Sequence, residues 1–428
     1  MKRKAFTLFF AFAIALSSTT YAQTTPSELT LVKDNLQYRT LWGFSGGFSK
    51  VSQYADKSKK YELFGLIDTA GNEVISPKYH QMSNVSDGYV RVGMDTDNNS
   101  DTGTLDLGRG IDKWGFLNTK GETVIPLIYD KAEGFSQGLA LVGTKYQYVQ
   151  KPIAGLPSST QIGYKTGFIN KEGKVTVPLI YDEAKGFSEG LAVVAKNNKY
   201  GFVDKNGKVV VPLIYDYADS FSEGFAAVCK NDKHGFINAQ GKVVIPMRYD
   251  YVQSFHEGLA VIEQGDKKGI INKQGNVILQ PTYDNISEFS GGLAFVAQSN
   301  KEKVVYKYGF INTTGKVVIP LNYFSVSPFS DGLSIVKTTN ELNKNYSVID
   351  KSGKTILHYS NNTLQDFQNG FAIIGKNTYQ SYNLSDTFGM IDKKGNELLP
   401  IKYSSIHYND GYIIAKEQNG TSTIWKIK

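Results

Sequence analysis

The chain has 428 residues, of which 41% are hydrophobic and 20% charged, and its formal net charge is +7. The basic and acidic residues are interspersed, whereas a nucleic-acid interface needs a clustered basic patch, so we expect no nucleic-acid partner. A single cysteine, Cys229, excludes an intramolecular disulfide, and packing must therefore supply the stability.

The N-terminal segment predicts export. Residues 1–22 combine a cationic start, an apolar stretch from Ala5 to Leu16 and small polar residues that end at Ala22, which is the pattern of a secretory signal. The apolar stretch is shorter than the roughly 20 residues that a membrane-spanning helix needs, so no membrane span is expected. We predict a periplasmic, outer-surface or extracellular protein. Residues 23–36 are assigned to an N-terminal linker and residues 37–428 to a repeat array.

A seven-residue phrase recurs nine times and marks the chain as a tandem array. It consists of a glycine, two mostly apolar residues, Asp or Asn, two polar or small residues and a second glycine. The eighth copy is defective because it begins with a serine. The copies begin at Gly65, Gly115, Gly167, Gly201, Gly235, Gly269, Gly309, Ser347 and Gly389.

The composition of the repeat predicts strands. Between Gly190 and Gly292 the repeat length is 34 residues, and each unit is rich in Val, Ile, Phe and Tyr and is interrupted by glycine and proline. Asp204 and Gly207 have the spacing of a type I turn that ends in a left-handed glycine. We predict a meander of three strands per unit, with a possible fourth through segments such as residues 215–221. Tyr215 and its equivalents are expected to pack between units.

The repeat resembles the bacterial WG-repeat family. The resemblance rests on phrases such as Lys113–Asn118 (KWGFLN) followed by Val124–Asp130 (VIPLIYD), and it covers nearly all of the predicted mature chain. The tryptophan after which the family is named is present only at Trp114. Elsewhere its position holds Phe64, Thr166, Tyr200, His234, Lys268, Tyr308 and Phe388. The resemblance implies β-rich repeat domains, often in exported or large modular proteins, mostly without an assigned activity.

The repeat number and length favour an all-β open array over a closed ring. The sequence begins in the middle of a unit and ends with the complementary part, which is how a propeller closes. However, propellers usually have about 4–8 blades, commonly of roughly 40 residues or more. Nine repeats of a 34-residue unit are too many and too short for that pattern. We therefore predict an open, curved β-solenoid or superhelix, with a propeller-like ring as the alternative.

The long insertions share one connection of the unit, between the strand typified by residues 191–194 and the strand that begins the next phrase. Equivalent insertions in stacked repeats emerge on one edge, which is often the binding edge. Tyrosines in loops suit the recognition of proteins, peptides or glycans, although insertions also accumulate neutrally in tolerant loops. The candidate binding residues are Tyr54, Tyr61, Tyr146, Tyr148, Tyr306, Tyr379 and Tyr382.

One insertion has the spacing of a calcium loop. Oxygen ligands at its positions 1, 3, 5, 7 and 12 would come from Asp95, Asp97, Asn99, Asp101 and Asp106. Ser100 replaces the glycine of the sharp turn, and the last ligand is Asp instead of Glu. A solvated polar loop is the alternative, and no other cofactor is expected.

The sequence offers no catalytic constellation. GxSxG patterns place Ser45, Ser136 and Ser188 in the turn of the repeat, whereas an esterase nucleophile needs a strand–turn–helix. The most divergent unit adds His358 and Tyr359, which form no acid–base pair. We expect a non-enzymatic scaffold that binds a protein, peptide or envelope glycan through its inserted loops. A hydrolase of envelope polymers and a purely structural spacer are the alternatives.

Overall fold

The computed structural model describes residues 29–55, 61–95, 113–150, 159–299, 306–339, 345–360, 362–380 and 383–428. These residues form forty strands in ten antiparallel sheets of four strands each. In these ranges no helix is long and apolar enough to cross a membrane.

Each sheet is one blade, and blades 1–5 are built from consecutive strands. β1 (Leu29–Leu36) precedes them and belongs to blade 10. Blade 1 has β2 (Thr40–Leu41), β3 (Phe48–Tyr54), β4 (Glu62–Asp68) and β5 (Glu73–Tyr79). Blade 2 has β6 (Gln81–Met82), β7 (Tyr89–Met94), β8 (Lys113–Asn118) and β9 (Thr123–Tyr129). Blade 3 has β10 (Lys131–Ala132), β11 (Leu139–Gln150), β12 (Ser159–Asn170) and β13 (Val175–Tyr181). Blade 4 has β14 (Glu183–Ala184), β15 (Leu191–Lys196), β16 (Lys199–Asp204) and β17 (Val209–Tyr215), and blade 5 has β18 (Tyr217–Ala218), β19 (Phe225–Lys230), β20 (Lys233–Asn238) and β21 (Val243–Tyr249).

Blades 6–10 continue the same order of short first strand, two central strands and fourth strand. Blade 6 has β22 (Tyr251–Val252), β23 (Leu259–Gln264), β24 (Lys267–Asn272) and β25 (Val277–Tyr283). Blade 7 has β26 (Asn285–Ile286), β27 (Leu293–Ser299), β28 (Tyr306–Asn312) and β29 (Val317–Tyr323). Blade 8 has β30 (Ser325–Val326), β31 (Leu333–Lys337), β32 (Tyr346–Asp350) and β33 (Thr355–Tyr359). Blade 9 has β34 (Asn362–Leu364), β35 (Phe371–Gln380), β36 (Asn383–Asp392) and β37 (Glu397–Tyr403), and blade 10 has β38 (Ser405–Asn409), β39 (Tyr412–Lys416) and β40 (Ser422–Ile427) together with β1.

The N-terminal strand closes the ring. β1 pairs antiparallel with β40, with Leu29 opposite Ile427, and so supplies the fourth strand of blade 10. Blade 10 packs against blade 1 through a buried cluster that includes Leu36, Phe44 and Ile414. The fold is therefore a closed propeller of ten blades. The prediction of an open β-solenoid is wrong, and the ring that was its alternative is the structure observed.

Two features of the blades explain why the sequence analysis predicted an open array instead of a ring. A 34-residue unit is long enough for a four-stranded blade because the first strand, such as Tyr217–Ala218, has only two residues, and the turn between the second and third strands, such as Asn231–Asp232, is equally short. In addition, residues 29–36, assigned to the linker, form a strand although they carry no repeat phrase. The nine phrases therefore mark blades 1–9, and blade 10 has none.

In blades 1–7 and 9 the first glycine of the phrase lies against a bulge in the fourth strand. In blade 4, Tyr200 pairs with Tyr215 and Phe202 pairs with Val211, so β17 advances four residues while β16 advances two. A Cβ on Gly201 would lie 2.5 Å from the Val211 carbonyl oxygen. Only glycine allows the two backbones to approach this closely.

Blade 8 lacks this bulge, which accounts for the defective copy of the phrase. Its short fourth strand, Thr355–Tyr359, pairs in continuous register at this point, with Ser347 opposite His358 and Val348 opposite Leu357. A side chain therefore fits at position 347, where the serine Oγ lies 2.9 Å from His358 Nδ1.

Buried aromatic pairs join successive blades. In blade 4, Phe202 lies edge-to-face against Phe221 of blade 5 with 4.9 Å between ring centroids, and Tyr215, 3% exposed, packs in the same cluster. The prediction that this tyrosine packs between units is confirmed. The equivalent phenylalanine pairs are Phe116–Phe135, Phe168–Phe187, Phe236–Phe255 and Phe310–Phe329.

The first strand lies at the inner edge of each blade. Ser188 Oγ of blade 4 donates to the Phe221 carbonyl of blade 5 at 2.7 Å, and Ser222 Oγ donates to the Phe255 carbonyl of blade 6 at 2.8 Å. Nearly equivalent positions of neighbouring radial sheets touch where the sheets converge, near the axis. The fourth strand, with exposed side chains such as Val209, forms the outer edge.

The turn between the first and second strands also links the blades. Its central residues have positive φ, as in a type I′ turn, with 51° at Glu189 and 83° at Gly190 in blade 4. The Gly224 amide of blade 5 donates to Glu189 Oε2 at 3.0 Å. At two steps a glycine, Gly46 or Gly291, takes the acceptor position. The same acceptor–donor pair occurs as Asp87–Gly138, Gln137–Gly190, Glu223–Gly258, Glu257–Gly292 and Asp331–Gly370. Between blades 10 and 1, Asp410 Oδ2 accepts instead from the amide of Gly46, one residue earlier in the turn, at 2.9 Å.

Proline interrupts the outer strand of most blades. It has no amide hydrogen, so it cannot donate to a further strand. The outer strands of blades 8 and 10, Thr355–Tyr359 and Leu29–Leu36, contain no proline, and the pairing of Leu29–Leu36 has two register shifts. The prolines of the other blades are Pro77, Pro126, Pro178, Pro212, Pro246, Pro281, Pro320 and Pro400.

The turn of the phrase is as predicted, and it gives a first test. Gly207 has φ +82°, and a Cβ on it would lie 2.9 Å from the Thr176 carbonyl oxygen, so Gly207→Val should cost roughly 2 kcal/mol or more. Asp204 Oδ1 accepts the amides of Asn206 and Lys208, both at 2.9 Å. An amide oxygen accepts the same two bonds in other blades, so Asp204→Asn should be nearly silent. Thermal melting of both variants checks this pair, and a large loss from Asp204→Asn would contradict the purely structural role of the turn.

Ring closure gives a second test. A chain that begins at Gln37 lacks β1, so β40 becomes an unpaired edge and the clusters around Leu29 and Leu36 lose those side chains. We expect its melting temperature to fall by about 5 °C or more and the chain to associate. A chain that begins at Leu29 is the control and should remain stable and monodisperse by size-exclusion chromatography. Equal stability of the two chains would argue against closure by this strand.

Candidate functional site

The described strand ends that flank the long insertions lie at one axial end of the ring. Every blade runs in the same sense, so the connections between second and third strands all meet at one end, together with the connections that lead into the next blade. We call this end the insertion face. The turns between first and second strands and between third and fourth strands lie at the other end. The described strand ends that flank the candidate loops therefore lie at the insertion face, and the loops as a binding edge stay a prediction.

Aspartates link neighbouring blades at the insertion face. In blade 4, Asp216 follows the fourth strand, where Oδ1 pairs with Lys199 Nζ of the same blade and Oδ2 accepts the Asn231 amide of blade 5 at 2.8 Å. Each such aspartate therefore bridges two blades. The hydrogen bond from Lys199 and that from the amide lower the pKa of Asp216. The equivalent aspartates are Asp130, Asp182, Asp250 and Asp284.

Asp284 has the most perturbed carboxyl of this set. Burial opposes its ionisation, but hydrogen bonds from Lys267 Nζ and from the Ser299 amide and hydroxyl outweigh burial and lower the pKa of Asp284 to about 2. The aspartate position is not uniform around the ring. Phe324 occupies it after blade 7, with Lys307 Nζ 3.4 Å from the ring centroid.

The predicted tyrosines that the structure describes belong to blades 1, 3, 7 and 9. Tyr54 and Tyr61 lie half-buried in blade 1, where the Arg39 guanidinium is 4.3 Å from the centroid of the Tyr54 ring. Tyr306 is exposed at the start of β28, and Tyr379 pairs with Leu384 in blade 9. Tyr382 lies outside the described residues. Of the seven, Tyr146 and Tyr148 form a pair, with 5.7 Å between ring centroids.

Blade 3 carries a two-stranded ribbon where the sequence analysis expected a loop. β11 and β12 pair over their full lengths, and their last pair joins Gln150 to Ser159. Tyr146 lies opposite Gly163, where its ring occupies the space that a Cβ would fill, with the nearest ring atom at 2.7 Å. Lys165 Nζ lies 5.0 Å from the centroid of the same ring.

The ribbon exposes apolar side chains on both of its faces. Tyr146 and Tyr148 share one face, since they are two residues apart on a strand, and Ile162 and Tyr164 share the other. Ile162 is 58% exposed and Tyr148 is 46% exposed. Sequence reasoning missed Ile162 and Tyr164, although alternation in β12 could have identified them.

The calcium hypothesis falls largely outside the described residues. Asp97, Asn99, Asp101 and Asp106 lie beyond them, and Asp95 is described, with its amide donating to His80 Nδ1 at 3.1 Å. The calcium loop stays a prediction. In the described part of the chain, no three His, Cys, Asp or Glu side chains are grouped so as to hold a metal ion.

A second cluster, at the inner end of blades 4–6, was not predicted. The connections between the second and third strands of these blades have two residues each, and the first residues of the neighbouring inner strands are open to solvent. Tyr217 and Tyr251 are 38% and 45% exposed. Tyr217 lies 5.8 Å from the ring of Tyr200, whose hydroxyl donates to Glu183 Oε2 at 2.8 Å. The inner-strand positions vary between repeats, so the repeat pattern gave no signal for this cluster.

The serines of the GxSxG patterns are turn residues that link blades. Ser188 Oγ donates to the next blade at 2.7 Å, and Ser136 Oγ donates to the Phe187 carbonyl at 3.4 Å. The thiol of Cys229 is buried, and burial raises its pKa.

Comparison with protein families gives one matching model, described as WG containing repeat. It matches residues 64–95, 114–148, 167–200, 200–233, 235–267, 269–301, 308–341 and 388–421, which together make up more than half of the chain. The stretch between the last two matches contains the defective copy of the phrase. None of the curated proteins matches the chain.

Several solved structures resemble the fold at low identity. A eukaryotic initiation factor is 13% identical over 81% of this chain and 94% of its own, with a TM-score of 0.46. The tricorn protease is 10% identical over 86% of this chain and 42% of its own, with a TM-score of 0.26. Virginiamycin B lyase from Staphylococcus aureus is 13% identical over 57% of this chain and 94% of its own, with a TM-score of 0.28. We draw nothing about activity from these similarities.

The aspartate bridges give a third test, in the pH dependence of stability. The folded pKa of Asp284 is about 2 and the ordinary value is 3.8, so its ionised form stabilises the protein above pH 4 and loses that effect as the pH falls towards 2. Asp284→Asn should lower the unfolding free energy by about 1 kcal/mol at neutral pH. The difference from wild type should shrink between pH 4 and pH 2. Denaturant melts across this range measure it, with exposed Glu172→Gln as control, and a difference that persists at pH 2 would refute the assignment.

Proposed function

The chain belongs to the WG containing repeat family, and on that premise we propose that it is an exported, non-catalytic scaffold whose insertion face binds a protein or peptide partner. The blade 3 ribbon carries this proposal. An isolated two-stranded ribbon is at best marginally stable in water, so exposed aromatic and aliphatic side chains on both of its faces bring no benefit to the fold alone. A partner that covers them would bury that surface.

The residue types of the ribbon suit a protein interface. Tyrosine is enriched at the energetic centres of such interfaces because it buries a large ring and offers a hydroxyl for hydrogen bonding. Tyr146 and Tyr148 supply these groups on one face of the ribbon, and Tyr164 does so on the other. The aspartate bridges below the ribbon support a rigid base, since each ties one blade to the next.

Export and the absence of catalysis are part of the same proposal. Export rests on the signal pattern of residues 1–22, and N-terminal sequencing of the protein recovered from the producing cells should begin at Gln23. The non-catalytic assignment is supported by the structural roles of the repeated groups, since the serines, aspartates and tyrosines that recur in the blades bond or pack between blades.

The ribbon gives a fourth test. Replacing residues 145–164 by Asn-Gly, a two-residue hairpin turn like those of blades 4–6, should leave the melting temperature nearly unchanged because the shorter blades already close in this way. Capture of envelope proteins by the immobilised chain should fall by about tenfold or more, as expected when the centre of an interface is removed.

Point variants localise the effect. Tyr148→Ser and Ile162→Ser each remove one exposed side chain from one face of the ribbon, and either should weaken capture. Val175→Ser is the matched control, because it removes a similarly exposed apolar side chain from the outer strand of the same blade. If the chain without the ribbon captures the same partners equally well, the ribbon is not the binding element. Loss of capture after glycosidase treatment of the extract would identify a glycan partner instead.

A further inference from the structure

In the cluster at the inner end of blades 4–6, the ammonium group of Lys185 is bound by several acceptors of the next blade. Lys185 Nζ of blade 4 donates to three acceptors of blade 5, which are Asp219 Oδ1 at 2.6 Å, the Tyr217 hydroxyl at 3.1 Å and the Ala218 carbonyl at 3.1 Å. The ammonium also lies 4.7 Å from the centroid of the Tyr217 ring. Burial lowers the pKa of Lys185, but the bonds to Asp219 and Tyr217 outweigh burial and raise it. Blade 5 therefore presents a formed ammonium site, and blade 4 fills it.

The next blade repeats the acceptors without the donor. One repeat length further on, Tyr251 takes the place of Tyr217 and Gln253 takes the place of Asp219. The aromatic ring, a backbone carbonyl and a side-chain oxygen are all retained. The position of Lys185, however, is now Asp219, so blade 5 offers a carboxylate where blade 4 offered a cation. The chain contributes no lysine at this position between blades 5 and 6.

An unsatisfied atom marks the same place. Gln253 Oε1 is buried and has no hydrogen-bond partner among the residues that the structure describes. A buried acceptor without a partner costs free energy, and such groups in native proteins usually have a role. Tyr251, two residues earlier in the chain, is 45% exposed, so this part of the blade is accessible to solvent.

The charges around Tyr251 favour a cation. Burial raises the pKa of Tyr251, and the nearby charges of Asp219, Glu263 and Glu288 raise it further. His234 lies 5.5 Å from the Tyr251 ring, and burial lowers the pKa of this histidine although the Asp219 charge opposes the shift.

The neighbouring cations have other partners. Lys185 bonds to Asp219, and Lys268 Nζ donates to Asn285 Oδ1 at 2.9 Å. His256 Nε2 lies 3.6 Å from Glu288. An external cation at Tyr251 therefore lies near the carboxylates of Asp219, Glu263 and Glu288, the charged groups that act on this tyrosine.

We propose that the inner end between blades 5 and 6 binds a primary ammonium group, held by the Tyr251 ring, Gln253 Oε1 and the Asp219 carboxylate. Its place corresponds to the one that the Lys185 ammonium holds one blade earlier. The ammonium comes from a lysine side chain of a protein docked on the insertion face or from a small free amine. The site does not depend on the blade 3 ribbon, since it is built from blades 5 and 6 alone.

A pair of matched peptides tests the site. The mature chain is titrated with acetyl-Gly-Gly-Lys-Gly-Gly-amide and with the same peptide carrying norleucine in place of lysine, and binding is followed by NMR or calorimetry. We expect binding of the lysine peptide, weakened by salt, and none of the norleucine peptide. A third titration with n-butylamine separates the two sources. Tighter binding of the peptide indicates a partner's lysine, and equal or tighter binding of butylamine indicates a free amine. No binding of either, or equal binding of lysine and norleucine, would overturn the proposal.

Variants of the chain locate the site. Tyr251→Leu removes the ring and Gln253→Leu removes the orphan acceptor, and each should weaken lysine-peptide binding by about three- to tenfold. Tyr251→Phe keeps the ring and should retain most of the binding. Lys185→Met vacates the equivalent place between blades 4 and 5, so a second binding event should appear.

Control variants separate this proposal from the ribbon. Tyr148→Ser should leave lysine-peptide binding unchanged even where it lowers partner capture. Thermal melting identifies any variant that fails to fold, and Tyr251→Leu and Gln253→Leu act at different residues, so one of them can replace the other. Unchanged binding in a folded Tyr251→Leu or Gln253→Leu protein, or the absence of a second event in folded Lys185→Met, would refute the assignment.

Discussion

The structure depends on the contact between successive blades. A four-stranded blade is too thin to bury its own apolar side chains, so each sheet covers its neighbour, as Phe202 does when it packs against Phe221. An open array would leave the first and last sheets uncovered. Closure by β1 removes both ends, because blade 10 packs on blade 1 through the cluster around Phe44. The ring is thus the arrangement in which every blade has two neighbours.

Two sets of polar bonds hold this packing at the two axial ends. At the insertion face, an aspartate such as Asp216 ties a lysine of its own blade to an amide of the next. At the other end, a side chain such as Glu189 accepts the next blade's amide from a left-handed backbone position. That conformation is unfavourable for glutamate, and glycine would adopt it freely. The bond to Gly224 offsets the strain and explains why a side chain is kept in most blades.

The sequence predicted the local structure well and the closure poorly. Asp204 and Gly207 specify their turn by chemistry that acts within a few residues, and the shared position of the insertions follows from the repeat. Closure depends on β1, whose residues carry no repeat phrase and whose partner, β40, lies at the other end of the chain. The ribbon was visible only as an insertion. The cluster around Tyr217 and Tyr251 was missed because the inner strand varies in each repeat, and only the structure brings Lys185, Tyr217 and Asp219 together.

The prolines of the outer strands limit how the ring can associate. Ten outer strands with free amides could each pair with a strand of another molecule, and the rings could then assemble into fibres or sheets. In eight of these edge strands a proline removes an amide donor. In a ninth, Leu29–Leu36, two register shifts make the strand irregular. Thr355–Tyr359 of blade 8 has no proline and a single register shift, so it remains as a short edge. Pairing through a single edge can join two rings but cannot propagate, so the outer strands give the ring no route to a fibre.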